Sequence, residues 1–544
     1  MLKHKNKLLI IAFLGSAIIF SSSTAYFEIS KNLDIFISLY KKVDELYVDE
    51  VDHSRIMRKG IDAMLSELDP YTVYYSESEV EDFKFQTTGT YAGIGARISK
   101  MNKQFVFTEL YENGPAHVAE LMKGDVLLEI DGKPLDGKNS DEMTELLKGE
   151  ENTPVLLRLK RGENIFTKSF KRDEVKIDNI SYSGMLNDKV GYVRFENFRM
   201  NAASDVQKKL EEMKKDGMEY FILDMRGNPG GLLKESVDLV NLFIEGNKLV
   251  VSTKGKNVRH SREYKTYKKP YDLKIPIAVL VDGGSASASE IVSGSIQDYD
   301  RGVVIGRTSF GKGLVQITQP ISFNSQVKVT TSKYYTSSGR CIQRLNYGER
   351  DEDGNVPDVP DSLITEYQTA NGRKVFDGAG IEPDITIKEK TLSSYISALE
   401  SERMFFKFAV DYHLKNTELT GGTKFSVSQS VLADFQSFIN TQKFTYLTKT
   451  DKKLAQVKET LRENKDSTAI AAELVKMEAA LKQLKNADFD KNKAEIEEFL
   501  RLEIVSHYYL RRGKAEAALR TDKDVEKALW LFENMSEYQA VLQP

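Results

Sequence analysis

The chain is poor in cysteine. Cys341 is the only one in 544 residues, so no disulfide can form within the chain and no cysteine-cluster metal site can be built. An excess of charge is missing too: 77 Lys and Arg face 81 Asp and Glu, a formal net charge of −4. Binding to phosphate backbones needs a basic surface, so this balance argues against nucleic acid as a partner. Histidine is scarce, with His4, His53, His117, His260, His413 and His507 the whole stock from which a general base could be drawn. Long apolar runs are absent near the start, where Leu8 to Phe20 gives 13 residues, short of the roughly 20 that a membrane-spanning helix takes.

That short run has a meaning of its own. Lys3, His4, Lys5 and Lys7 precede it and Ser21 to Ala25 follow, the basic head, apolar middle and small residues of a secretory signal. Residues 1–25 are therefore expected to direct export to the bacterial cell envelope, into a periplasmic or extracytoplasmic space, with cleavage near Ala25. An uncleaved anchor is the alternative and would be the only link to a membrane. No cysteine follows the run, so a lipid-anchored form is excluded. The chain length suggests three or four domains, and 40% hydrophobic with 29% charged residues is an ordinary globular composition.

One stretch organises the rest. Ile275 to Val281 is an apolar run that reads as a buried strand, and Ser289 to Gln297 has a helical rhythm. Between them stands Ser285-Ala-Ser287-Ala-Ser289-Glu290. A small-residue turn from strand to helix lifts a hydroxyl out of the sheet, and the helix N-terminus offers backbone N–H groups to a developing oxyanion. A serine needs a base, yet no histidine lies between this turn and Lys312. A lysine serves when its neutral amine is available, and Lys312 stands between Gly311 and Gly313, where backbone can come close. Gly306 to Lys312 also mimics the opening of a phosphate-binding loop. However, Gly313 stands where Ser or Thr should hold magnesium, and the following residues alternate as a strand rather than opening a helix.

Ser-Ala-Ser-Ala-Ser-Glu followed by Phe-Gly-Lys-Gly-Leu-Val-Gln, 310–316, resembles the paired signature of the carboxy-terminal processing, or tail-specific, proteases. The resemblance implies that Ser287 is the nucleophile, Lys312 the general base and Gln316 a residue that orients the lysine. It also matches the family's serine-to-lysine separation of 25 residues. Upstream, the strand-like Tyr220 to Asp224 runs into Arg226-Gly-Asn228-Pro-Gly230-Gly231 and then a helix-like Leu232 to Phe243. In the family this motif supplies one oxyanion-hole N–H and the residue after the nucleophile the other, here Gly230 or Gly231 and Ala288. Asp224 and Asp282 are read as structural.

The resemblance extends further. Tyr47-Val-Asp and Leu68-Asp-Pro-Tyr are similar to the family's N-terminal helical segment, and Val375 to Asp384 closes the likeness. Thr87 to Lys171 resembles a bacterial PDZ domain, carried by Tyr91-Ala-Gly93-Ile94-Gly95, Asn113-Gly-Pro-Ala and Gly124-Asp-Val-Leu-Leu-Glu-Ile-Asp-Gly132. In such modules the glycine turn, here Gly93, Ile94 and Gly95, receives a peptide's terminal carboxylate. Glu120 departs from the pattern, which has glycine there. Beyond residue 388 the segments are rich in Ala, Leu, Glu and Lys at helical spacing.

The expectation is thus a multidomain α/β chain. It has a signal segment (1–25), N-terminal helices (26–86), an inserted PDZ domain (87–172), a crotonase-like α/β protease core (173–388) and an α-helical C-terminal domain (389–544). The function implied is an exported serine endopeptidase that binds protein tails with apolar C-termini and cuts with a Ser-Lys pair, a chemistry that needs no metal or cofactor. The helical domain is left open between a solvated bundle, a homo-oligomer surface, an adaptor site and a wall around the proteolytic chamber. A non-catalytic PDZ scaffold is the rival, and a thioester-binding crotonase relative a second, disfavoured by export.

Overall fold

The computed structural model describes residues 26–388, 391–464 and 470–544; the expected signal segment lies outside them. The chain divides at Tyr74 into two units. In the first, a helix over 26–46 is followed by the helix His53–Ser66, whose N-cap Asp52 accepts from Arg55 N. Asp69, buried, closes the next turn by accepting from Tyr71 N, Thr72 N and the Thr72 hydroxyl. Ile35, Leu39 and Leu46 are exposed in the single chain.

The second unit is built on a sheet that, among the described residues, has six strands. In spatial order these are Ile180–Met185, Val190–Phe195, Tyr220–Asp224, Ile277–Val281, Val303–Gly306 and Ile385–Thr386. The first pair is antiparallel and the rest are parallel, as strand–helix–strand connections require. Side chains alternate across the pleat. Phe221, Leu223, Ile277, Val279 and Val281 face the helices Ala202–Lys215, Leu233–Val240 and Ala288–Asp298. Ile222, Ala278 and Leu280 face the other way. A strand covered on both faces carries no polar alternation, which is why Ile277–Val281 reads as an unbroken apolar run.

What covers the second face was not expected. The helices Lys523–Glu533 and Met535–Val541 place Val525, Ala528, Leu531, Phe532 and Tyr538 against it, and the Tyr538 hydroxyl bonds both N and O of Ile277. These helices pack on the six-stranded sheet rather than in the separate aromatic-rich core formed between Tyr395 and Ala517.

A second sheet is antiparallel, with Gln326–Thr336 paired to both Leu249–Lys254 and Leu314–Pro320. The PDZ domain has strands in the order Ala96–Met101, Gln104–Leu110, Val126–Ile130, Pro154–Arg161 and Asn164–Lys171. It also has a helix, Ser140–Leu147, capped by Asn139. Where the chain enters and leaves it, Thr90–Gly93 pairs with Asp173–Lys176, which makes the domain an insertion with a two-stranded neck. Glu120 occupies its non-glycine position at φ 60°, a left-handed conformation that explains the family's glycine there. The PDZ domain rests on the helical domain, with Gly124 against Val410 and the Lys123 ammonium on Glu503 (3.0 Å) and Ser506 (2.7 Å).

Candidate active site

Ser287 caps the N-terminus of the helix Ala288–Asp298 at φ 56°, ψ −111°. This is strained backbone for a residue with a β-carbon and is found where surrounding structure over-determines it. The strand Ile277–Val281 delivers the chain to this turn, and Ser285 anchors it. The Ser285 hydroxyl donates to Met225 O at 2.8 Å and accepts from Asp282 N at 3.0 Å. Tyr334, buried, donates to the carbonyl of Ser287 at 3.2 Å.

The turn is held chiefly by Glu290, which is wholly buried. One carboxylate oxygen accepts from the Ser309 hydroxyl (2.6 Å) and Gly311 N (2.7 Å), the other from Lys312 N (2.9 Å) and Ser287 N (2.7 Å). Burial pushes this carboxyl up, and the four donors work against it. Because Ser309 itself accepts from Ile381 N at 2.6 Å, its proton points at Glu290. Four donors on two oxygens are the full hydrogen-bonding complement of a carboxylate. One buried side chain thus ties the backbone of Ser287 to that of Lys312.

The glycines beside Lys312 are there for contact. A β-carbon on Gly311 would stand 2.6 Å from that of Arg344, and one on Gly313 would stand 2.8 Å from Gln343 N. The chain 342–344 packs flat against the lysine loop, and Gly313 N donates to the Gln343 side chain at 2.8 Å. Gln316 follows on the strand Leu314–Pro320, where the register slips between Val315 and Gln316. Such a bulge re-aims a side chain, and the Gln316 amide donates to Thr330 Oγ1 at 3.0 Å.

Opposite the serine lies the loop from Met225 to Gly231. Asn228, wholly buried, holds it: its side chain accepts from Gly230 N (2.9 Å) and donates to Phe195 O (2.9 Å), while its carbonyl accepts from Ala286 N and the Ser289 hydroxyl, both at 2.9 Å. Gly230, at φ 95°, backs directly onto the elbow. A β-carbon there would lie 2.7 Å from Ala286 O and 2.8 Å from Ala288 N. The N–H of Gly230 is therefore spent on Asn228, whereas no described residue accepts from the N–H of Gly231 or Ala288.

Asp224 and Asp282 serve as ties. Asp224 accepts from Tyr192, Arg194 and Arg226; burial would raise it, but the two guanidinium groups outweigh burial and hold it well below the usual carboxylate range. Asp282 accepts from Gly227 N at 2.7 Å. In the PDZ domain, Ile94 and Gly95 (φ 71°) give their carbonyls to Ala116 N and Tyr111 N. Gly93 and Ile94 border a groove of about 770 Å³, walled by Ile98, Met143 and Leu147, and Gly95 is not part of its lining. Sequence reasoning passed over Glu290, although a Glu three residues into a helix after a Ser is a capping signal; Tyr334 gave no signal beyond its place on an alternating strand.

Comparison with known proteins adds the family. Residues 189–360 match the pattern of peptidase family S41, 106–161 that of a PDZ domain, and 395–532 that of the C-terminal helical domain of probable PDZ-proteases. A probable CtpA-like serine protease of Staphylococcus aureus (strain COL) is 32% identical over 393 residues, 71% of this chain and 76% of the relative. Its counterpart from Staphylococcus haemolyticus (strain JCSC1435) is 33% identical over 308 residues, 56% and 61% of the two chains. Among solved structures, a photosystem II D1 C-terminal processing protease aligns over 65% of this chain and 92% of its own, at 25% identity and a TM-score of 0.35. Identity of this order across most of both chains places the protein in peptidase family S41, as a CtpA-like serine protease of the C-terminal processing kind with a PDZ domain.

Proposed function

We propose that the protein is an exported endopeptidase whose PDZ groove captures the apolar C-terminal tail of a protein substrate and whose Ser287 and Lys312 cut the chain nearby. Capture raises the local concentration of the tethered chain at the active site. Ser287 Oγ attacks the peptide carbonyl as the neutral Lys312 amine takes its proton, and the lysine returns that proton to the leaving amine. Water then hydrolyses the acyl-enzyme by the same route in reverse. Gln316 orients the lysine. Of the two glycines the sequence left open, Gly231 is our assignment for the oxyanion hole, together with Ala288, because the N–H of Gly230 is engaged by Asn228.

The observation that carries this reading is the shared Glu290 carboxylate, which fixes the backbones of Ser287 and Lys312 to one point. The test is cleavage of an unstructured protein ending in apolar residues, by wild type, Ser287→Ala and Lys312→Ala, with tail binding measured in parallel. Both variants should bind and neither cut, and wild-type turnover should rise with pH as the amine loses its proton. Tail binding by the wild type without cleavage would leave the scaffold reading standing.

A further inference from the structure

The loop that carries Gly231 begins at Arg226, and Arg226 is held from an unexpected direction. Its Nε and Nη2 bond Asp224 (3.0 and 2.5 Å) at the end of the sheet. Its remaining donors reach the C-terminal helix Lys523–Glu533: Nη1 bonds Asp522 Oδ1 and Asp524 Oδ2, both at 2.9 Å, and Nη2 bonds Asp522 Oδ2 at 2.6 Å. Arg194 adds a bond to the carbonyl of Arg226 at 2.8 Å. Asp524 is buried, with Arg307 at 3.6 Å, and Arg307 in turn lies 3.9 Å from Asp282, the acceptor of Gly227 N. Asp522 also caps its own helix by accepting from Asp524 N and Val525 N. Planar, bidentate pairs of this kind fix orientation as well as position.

We infer that Asp522 and Asp524 are positioning residues for the oxyanion loop, acting through Arg226 from a helix far downstream in sequence. The inference rests on the proposed role of Gly231. The helix is seated independently by its apolar face on the central sheet, so its two carboxylates present a rigid counter-template for the guanidinium. The guanidinium sets where the chain leaves the strand Tyr220–Asp224 and where, five residues on, Gly231 presents its N–H. Neither aspartate touches substrate.

The experiment compares wild type with Asp522→Asn/Asp524→Asn in the full chain. Asn still caps a helix, so the change removes charge from Arg226 with little loss of fold. Four readouts are taken: melting temperature, tail-peptide anisotropy, kcat and KM for a tailed substrate, and the rate of covalent labelling of Ser287 by a fluorophosphonate, whose tetrahedral adduct needs the same N–H donors. The expected result is a 10- to 100-fold fall in kcat and in labelling rate, with KM and tail affinity within twofold of wild type. Unchanged kcat and labelling, or a loss that only follows the folded fraction, would overturn the inference. Should the double variant fail to fold, Asp522→Asn alone carries the same comparison. Absence of labelling at Ser287 in wild type would instead refute the underlying reading of the site.

Discussion

Glu290 makes the sharpest demand on a single side chain. In Glu290→Gln the amide nitrogen must face one pair of N–H or O–H donors, so two buried donors lose their acceptor at a cost of about 1–3 kcal/mol each. The pair that loses out includes either Ser287 N and Lys312 N, or Gly311 N and Ser309. We expect turnover to fall on the order of 100-fold or more while circular dichroism stays native and tail binding is kept; a variant that cuts at the wild-type rate would show that the bridge is dispensable. Gly230→Ala tests the opposite wall. Its β-carbon would press on Ala286 O and Ala288 N at a φ that side chains rarely adopt, so both stability and turnover should drop. Ser287, Lys312 and Gly230 stood out in the sequence because their types are unusual in that pattern. Glu290 did not, because a buried carboxylate announces itself only through the donors that fold around it, and Ser309 and Gly311 lie some twenty residues away in sequence.

Among the elements, the helix Lys493–Ala518 does the most joining. It breaks at Tyr509 and Leu510, the latter at φ 53°, ψ −151°, and Leu510 packs on the PDZ core. Arg511 pairs with Glu109 of the PDZ domain and Glu196 of the protease sheet. One turn earlier sits His507, wholly enclosed, with Glu503, Lys123, His413 and the Phe406 ring around it. Burial lowers its pKa to about 4, so the unfolded chain takes up the proton first. This histidine's contribution to stability is therefore intact above pH ~6.5 and lost as pH falls toward ~4, up to about 3 kcal/mol over the whole window. The neighbouring Glu503 is pushed up by burial, but His507, Lys123 and Lys514 hold it well below its ordinary range; its own loss begins only below about pH 4.5. Melting temperature measured between pH 7 and 5 should fall in wild type and lie nearly flat in His507→Leu. Equal slopes would place the titration elsewhere. The sequence showed the helical rhythm of this region but not its joints: Ser394–Ser401 and Met404–Lys415 are two helices that bury residues in one core. Helical spacing persists across a break when both helices bury the same face, so periodicity alone cannot see the joint.

At the scale of the molecule, the α/β core, the PDZ insertion and the helical region were legible because each has its own period and its own glycine punctuation. The destination of the last two helices was not. Their apolar faces look like those of any bundle helix, and nothing local says that they pack on Ile222, Ala278 and Leu280 rather than on one another. Tyr538→Phe measures that seating, since it removes the acceptor of the Ile277 N–H in a buried strand and one of the donors to its carbonyl. A loss of about 1–3 kcal/mol is expected, read as a drop of a few degrees in melting temperature, with tail binding unchanged. Ending the chain at Arg520 should yield insoluble or inactive protein, because the sheet face would be left bare.

The two-faced sheet also sets a clock. Ser287 and Lys312 leave the ribosome more than two hundred residues before Asp522, Asp524 and Tyr538. At synthesis rates of roughly 5–20 residues per second, that is a lag on the order of ten to fifty seconds. Through that interval both members of the proposed catalytic pair exist without the layer that closes their sheet and braces Arg226. Until that layer is in place, Ile222, Ala278 and Leu280 have no apolar cover and Arg226 lacks its downstream carboxylates.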